Sequence, residues 1–173
     1  MKRLLCLMTV AGALLGAGEA HAQFDNRSLR VTLGYMGLAG TDKVPVERGV
    51  PLGLGYTGYI EAGWEWTFDV QVMLLTRSTD GYQFIGAAGG PGIRYLFMQE
   101  ELRPWVGADI SYLHLFADFE VANLVGLGPK VGLDYFVADT VSLGLVGQSN
   151  FYFALNDRVQ TSFGIHGVVA AWF

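Results

Sequence analysis

Alternation of apolar and polar residues with period two, repeated through eight segments of about ten residues, constrains this 173-residue chain more than any other feature. The segments run over 28–38, 54–66, 68–78, 84–97, 104–116, 125–137, 141–153 and 161–173. Side chains of a strand point alternately to its two faces, so each parity of a segment marks one surface. One parity is apolar almost throughout: Leu29, Val31, Leu33 and Tyr35 in the first segment, Phe68, Val70, Val72 and Leu74 in the third, Ile165, Val169, Ala171 and Phe173 in the last. The other parity holds the polar residues and many of the glycines.

Alternation by itself does not say which face meets water. Composition helps: 51% of the residues are hydrophobic and only 16% are charged, against about 25% charged in an ordinary soluble domain. Beyond Gly18 no apolar run reaches the roughly 20 residues of a membrane helix, and a closed barrel is the other structure that satisfies every backbone group in lipid. The expectation is an all-β fold, an eight-stranded antiparallel up-and-down transmembrane β-barrel forming one domain over 23–173.

Aromatic residues on the apolar parity support that choice. Tyr56 to Trp66 is a separation that, along one tilted strand, spans roughly 25 Å, the height between the aromatic girdles of such a barrel. Tyr35, Tyr56, Tyr112, Phe151 and Phe163 are assigned to one girdle, and Trp64, Trp66, Phe68, Tyr95, Phe97, Tyr135 and Phe173 to the other. The shortest connections, around Thr67, Ala138-Asp139 and residues 98–103, are expected at the periplasmic end. The longest, 39–53, is expected to be an outer loop.

Residues 1–22 read as a cleaved signal peptide. Lys2 and Arg3 precede an apolar stretch, and Ala20-His21-Ala22 supplies small residues for cleavage before Gln23. Removing that segment takes the formal net charge from −5 to −6 and removes Cys6, the single cysteine, so thiol and disulfide chemistry are excluded from the mature chain. An acidic chain also gives no reason to expect a nucleic-acid partner.

The last strand carries a further pattern: Ile165, Gly167, Val169, Ala171 and the terminal Phe173 lie on one parity. With the rest of 28–173 this resembles the small outer-membrane barrels of the OmpA and OmpX type in Gram-negative bacteria. The resemblance implies outer-membrane localisation, outer-membrane lipids as surroundings, and Phe173 as an assembly signal read by the outer-membrane assembly machinery. A monomer is expected.

The charged residues of the polar parity form the candidate site. Arg30, Glu61, Glu65, Asp69, Arg77, Arg94, Asp109, Lys130 and Asp134 would face the lumen. Charges taken out of water persist only when paired and hydrogen-bonded, so a near balance of acids and bases predicts an ion-pair network. Arg30, Glu65, Asp69, Arg94 and Asp134 are placed toward the periplasm, and Glu61, Asp109, Lys130 and His166 near mid-depth. Eight strands leave room for side chains or one small ligand, not for an open channel.

Other motifs carry little. Gly53-Leu54-Gly55-Tyr56-Thr57-Gly58 has the dinucleotide-loop spacing but opens a strand instead of a helix. Pro91 among Gly86, Gly89, Gly90 and Gly92 predicts a bulge or bend. His114 faces lipid by parity, and Ser111 does not share its face, so no catalytic set is assigned; no cofactor and no metal site are expected. The reading is a non-enzymatic outer-membrane barrel with a structural or surface-interaction role and a plugged lumen. The alternatives are a narrow or gated pore for small solutes and, further off, a lipid A-modifying enzyme.

Overall fold

The computed structural model describes residues 27–39, 46–77, 80–116, 123–154 and 158–173; the expected signal peptide lies outside them. Eight strands follow one another: β1 Arg27–Ala39, β2 Val46–Glu61, β3 Trp64–Arg77, β4 Gln83–Leu96, β5 Leu102–Phe116, β6 Asn123–Ala138, β7 Val141–Ala154 and β8 Arg158–Trp172. Each pairs antiparallel with the next, and β1 pairs with β8 from Ser28↔Trp172 to Ala39↔Thr161, so the sheet closes into a barrel in sequence order. Closure leaves no strand edge with unpaired backbone groups.

The apolar parity faces outward. Leu33, Leu54, Leu74, Ile110, Val131, Leu145 and Ile165 are all exposed on the outer surface, Ile165 at 66%. The interior holds the other parity, with Arg30, Glu65, Arg94, Asp134 and His166 all buried. One end of the barrel carries the connections β1–β2, β3–β4, β5–β6 and β7–β8 and is called the loop end. The other carries three tight connections and the start of β1 and end of β8, and is called the turn end.

The second and third strands differ from the sequence reading. The turn between them lies at Ala62-Gly63, not near Thr67, and both residues have positive φ (49° and 86°), the conformation that lets a two-residue hairpin follow the twist of its strands. Leu96 N–H donates to Gly63 O at 2.9 Å. Accordingly β2 begins at Val46, well inside the stretch 39–53 expected to be loop. Trp64 and Trp66 belong to β3, opposite Tyr95 and Ile93 of β4. A register shift between Tyr59 and Glu61 leaves Tyr59, Ile60 and Glu61 all exposed, so Glu61 is outside the lumen.

With the turn at Ala62-Gly63, Tyr56 falls in the turn-end girdle. Its ring lies 5.2 Å from Trp66 and 6.4 Å from Phe173, so Tyr56 and Trp66 are neighbours across a hairpin and do not span the wall. Within β8, Phe163 and Phe173 are both exposed on the outer parity, and ten residues of a tilted strand correspond to about 25 Å. Trp64, Tyr95 and Phe97 complete the turn-end belt, with ring centroids 5.1 and 5.5 Å apart in succession.

Pro91 does not make the expected bulge. The β4–β5 register is the same on both sides of it, from Gly89↔Tyr112 to Gly92↔Asp109, with the two intervening pairs unformed. Pro51 leaves the same gap against β1 and Pro129 against β7. A proline lacks the N–H that a ladder needs, and a rigid closed barrel absorbs the loss without changing register. Gly90 lets the two backbones come close at the gap, since a Cβ there would stand 1.9 Å from Ile110 O.

Candidate functional site: the lumen network

The lumen is built in three layers. At the turn end, Arg94 of β4 is 1% exposed and bonds two carboxylates: Nε to Glu65 Oε2 at 2.5 Å and Nη1 to Asp134 Oδ2 at 3.0 Å. Its guanidinium lies 5.0 Å from the Trp105 ring centroid and 5.8 Å from that of Trp172. Below it Trp172 Nε1 donates to Ser142 Oγ at 2.9 Å, and the Phe136 ring sits 5.2 Å from Trp172. Arg103 caps this aromatic pair, 4.0 Å over Phe136. Ser28 and Thr57 hydrogen-bond each other at the same end.

The middle layer is a second ionic chain. Arg30 Nη2 meets Asp69 Oδ1 at 2.9 Å, Lys130 Nζ meets Asp69 Oδ2 at 3.1 Å, and Lys130 Nζ meets Asp109 Oδ2 at 2.6 Å. Register explains how β1 reaches β3 across β2. Arg30, Gly55 and Asp69 occupy one row of the sheet, and a Cβ on Gly55 would lie 2.1 Å from Asp69 Oδ1. The glycine leaves the space the ion pair occupies, which gives Gly55 a structural task unrelated to its place in the dinucleotide-like spacing.

The loop-end layer is apolar. Met36, Met73, Leu75, Phe84, Leu113, Leu115 and Leu124 point inward and pack as one buried cluster with Ala88 and Tyr152. The sequence reading assigned the inward parity to polar residues and missed this layer, along with Trp105 and Trp172. Its signal is present in Tyr112-Leu113-His114-Leu115-Phe116, where both parities are largely apolar, as expected of a strand segment buried on both faces.

Of the nine residues proposed for the lumen, the structure joins Glu65, Arg94 and Asp134 in one cluster and Arg30, Asp69, Lys130 and Asp109 in another. Glu61 is exposed beside the Ala62-Gly63 turn, and the side chain of Arg77 lies outside what is described. His166 is 3% exposed and lines the middle layer. Phe173 is exposed on the outer face, and its N–H donates to Arg27 O at 3.0 Å, tying the chain terminus to β1.

His114 is on the outer face near the loop end. Its Nδ1 is 2.8 Å from Asn123 Oδ1, Tyr112 OH donates to the same oxygen, and its ring packs edge-on to Phe116 at 4.5 Å. Ser111 points the other way and is buried. Among the described residues no group of three or more His, Cys, Asp and Glu side chains is arranged to hold a metal ion.

Solved structures share this architecture. The crystal structure of Neisserial surface protein A superposes with a TM-score of 0.69 at 15% identity, covering 86% of this chain and 97% of that one. The fold is that of the small outer-membrane β-barrels. The outer membrane protein OprG from Pseudomonas aeruginosa matches with a TM-score of 0.58 at 10% identity, covering 85% of this chain and 95% of that one. The outer membrane enzyme PagL matches with a TM-score of 0.58 at 10% identity, covering 84% and 99%. No family model matches the chain, and no curated protein matches it by sequence.

Proposed function

We propose that the chain is an integral outer-membrane protein with a plugged barrel, without catalytic activity, whose role is structural or exerted through its exposed surface. The observation that carries this reading is the inversion of the usual burial pattern. Leu33, Leu74, Val131 and Ile165 are more than half exposed on the outer wall, while Arg94, Glu65 and Asp134 are at most 3% exposed inside it. An apolar wall of this extent bounded by two aromatic belts fits lipid, and buried charges fit a filled lumen.

Three neighbours in fold cover a surface protein, an outer membrane protein and an outer membrane enzyme, so fold does not choose among roles. The non-enzymatic reading is supported by the opposite facing of His114 and Ser111, which keeps that hydroxyl away from the histidine. Phe173 acts in assembly, as the outward-facing end of the strand that closes the barrel.

Orientation follows from the connections, since tight turns of such barrels face the periplasm and longer loops face outward. A cysteine placed by Asp80→Cys, in the β3–β4 connection, is expected to react on intact cells with a membrane-impermeant thiol reagent. One placed by Glu101→Cys, in the β4–β5 turn, is expected to react only after the cells are broken. The opposite labelling pattern would invert the proposed orientation.

A further inference from the structure

The middle and loop-end layers differ in how well they are filled. A cavity of about 50 Å³ lies at mid-lumen, lined by Arg30, Asp69, Asp109, Lys130, Asn150 and His166 among others. Among the buried atoms of its lining that have no protein partner are Arg30 Nε, Asp109 Oδ1, Asn150 Oδ1 and His166 Nε2. Their residues are 4%, 8%, 2% and 3% exposed, so bulk water does not serve them. A site for one water needs roughly 10–15 Å³ of such volume and two to four polar partners. The cavity meets both conditions for about three or four molecules. An added cation is a poorer occupant, because Lys130 already bonds the facing oxygen of Asp109 at 2.6 Å.

Immediately toward the loop end the lumen is apolar and closely packed. Met36, Met73, Leu75, Leu113 and Leu124 are no more than 2% exposed. No slack remains beside Leu75: a Cβ on Gly49 would stand 2.6 Å from its Cδ2, and one on Gly86 would stand 2.9 Å from its Cδ1. A narrow apolar constriction excludes water because water entering it gives up hydrogen bonds without replacement. Ion pairs beside a polar cavity present no such barrier.

We propose that the mid-lumen cavity binds a small cluster of water molecules, and that the apolar layer, not the ion pairs, separates this water from the medium at the loop end. This rests on the closed-lumen reading above, and the test separates the two. The parent for all measurements is the full-length protein carrying Gln148→Cys, which places a thiol on the cavity wall. Only protein that migrates as folded in unboiled gels is counted.

A small methanethiosulfonate reagent added from the loop side is expected to react slowly with the parent. Met73→Ser with Leu113→Ser is expected to raise the rate at least tenfold, while Lys130→Met with Asp109→Asn leaves it within about twofold. If the serine pair does not fold, Met73→Ala with Leu113→Ala takes its place. An increase with the ionic variant, or no increase with the apolar one, overturns the assignment of the barrier. Fast reaction of the parent itself overturns the closed-lumen reading instead. Bound water is read separately, as magnetisation transfer from water to the Asn150 side-chain amide in the protein without Gln148→Cys; its absence overturns the hydration of the cavity.

Discussion

Arg94→Ala is expected to lower the unfolding free energy by about 3–5 kcal/mol, because it leaves Glu65 and Asp134 buried without the cation that both of them bond. The same guanidinium fills the space against Trp105 and Trp172, so the loss includes packing as well as charge. Urea titration of the refolded protein in lipid vesicles measures it. The companion variant distinguishes the causes. Replacing all three residues together, Arg94→Met with Glu65→Leu and Asp134→Leu, removes the charges and their desolvation cost at once, and stability is expected to return to within about 1–2 kcal/mol of the parent. A triple variant as unstable as Arg94→Ala would mean that the cost arises from lost shape and not from stranded carboxylates.

The second large effect is expected at Trp172. This side chain is 2% exposed, donates to Ser142, stacks near Phe136, and lies 5.8 Å from Arg94 and 5.2 Å from Arg103. Trp172→Ala removes one of the two buried tryptophans that pack on Arg94 at the turn end and is expected to destabilise by about 3–5 kcal/mol. Trp172→Phe retains most of the aromatic volume but loses the hydrogen bond, with an expected cost of about 1–2 kcal/mol. Equal losses in the two variants would assign the effect to the hydrogen bond with Ser142. Because Trp172 lies opposite Ser28 in the β1–β8 pairing, folding yield in vesicles is expected to fall in the same order.

The barrel was legible in the sequence because strand alternation records facing directly: Leu29 through Tyr35, Phe68 through Leu74 and Phe163 through Phe173 face outward as their parity indicates. The hairpin at Ala62-Gly63 was not. A two-residue turn would by itself reverse the parity of facing residues, but the register shift between Tyr59 and Glu61 restores it, so even-numbered residues face outward in both β2 and β3. The alternation therefore ran through the turn without a mark, and Glu61 was placed with Glu65 on the inside.

The ionic clusters were partly legible for a related reason. Parity puts Arg30, Glu65, Asp69, Arg94, Asp109, Lys130 and Asp134 inside, but their partition into two clusters depends on strand register. Arg30 reaches Asp69 only because Gly55 stands between them in the row. The apolar layer went unread for a different reason: placing Val72 and Leu74 outward already puts Met73 and Leu75 inside, but the inward parity was read for its polar residues alone. Polar landmarks at Asp69 and Gln71 settle the inward parity of β3, and counting forward from them would have put Met73 and Leu75 inside.

The central claim is that one parity of the wall faces lipid while the other fills the lumen, and β8 tests it most directly. Nitroxide labels introduced singly at residues 163 to 170, after reconstitution into vesicles, report their access to dissolved oxygen, which concentrates in the bilayer, and to a water-soluble nickel complex. Access to oxygen is predicted to alternate with period two, high at Phe163, Ile165, Gly167 and Val169 and low at the inward positions Gly164, His166, Val168 and Ala170, with little access to nickel at Ile165 and Gly167. Equal oxygen access on the two parities, or strong nickel access at Ile165, would contradict a lipid-facing wall around a filled lumen.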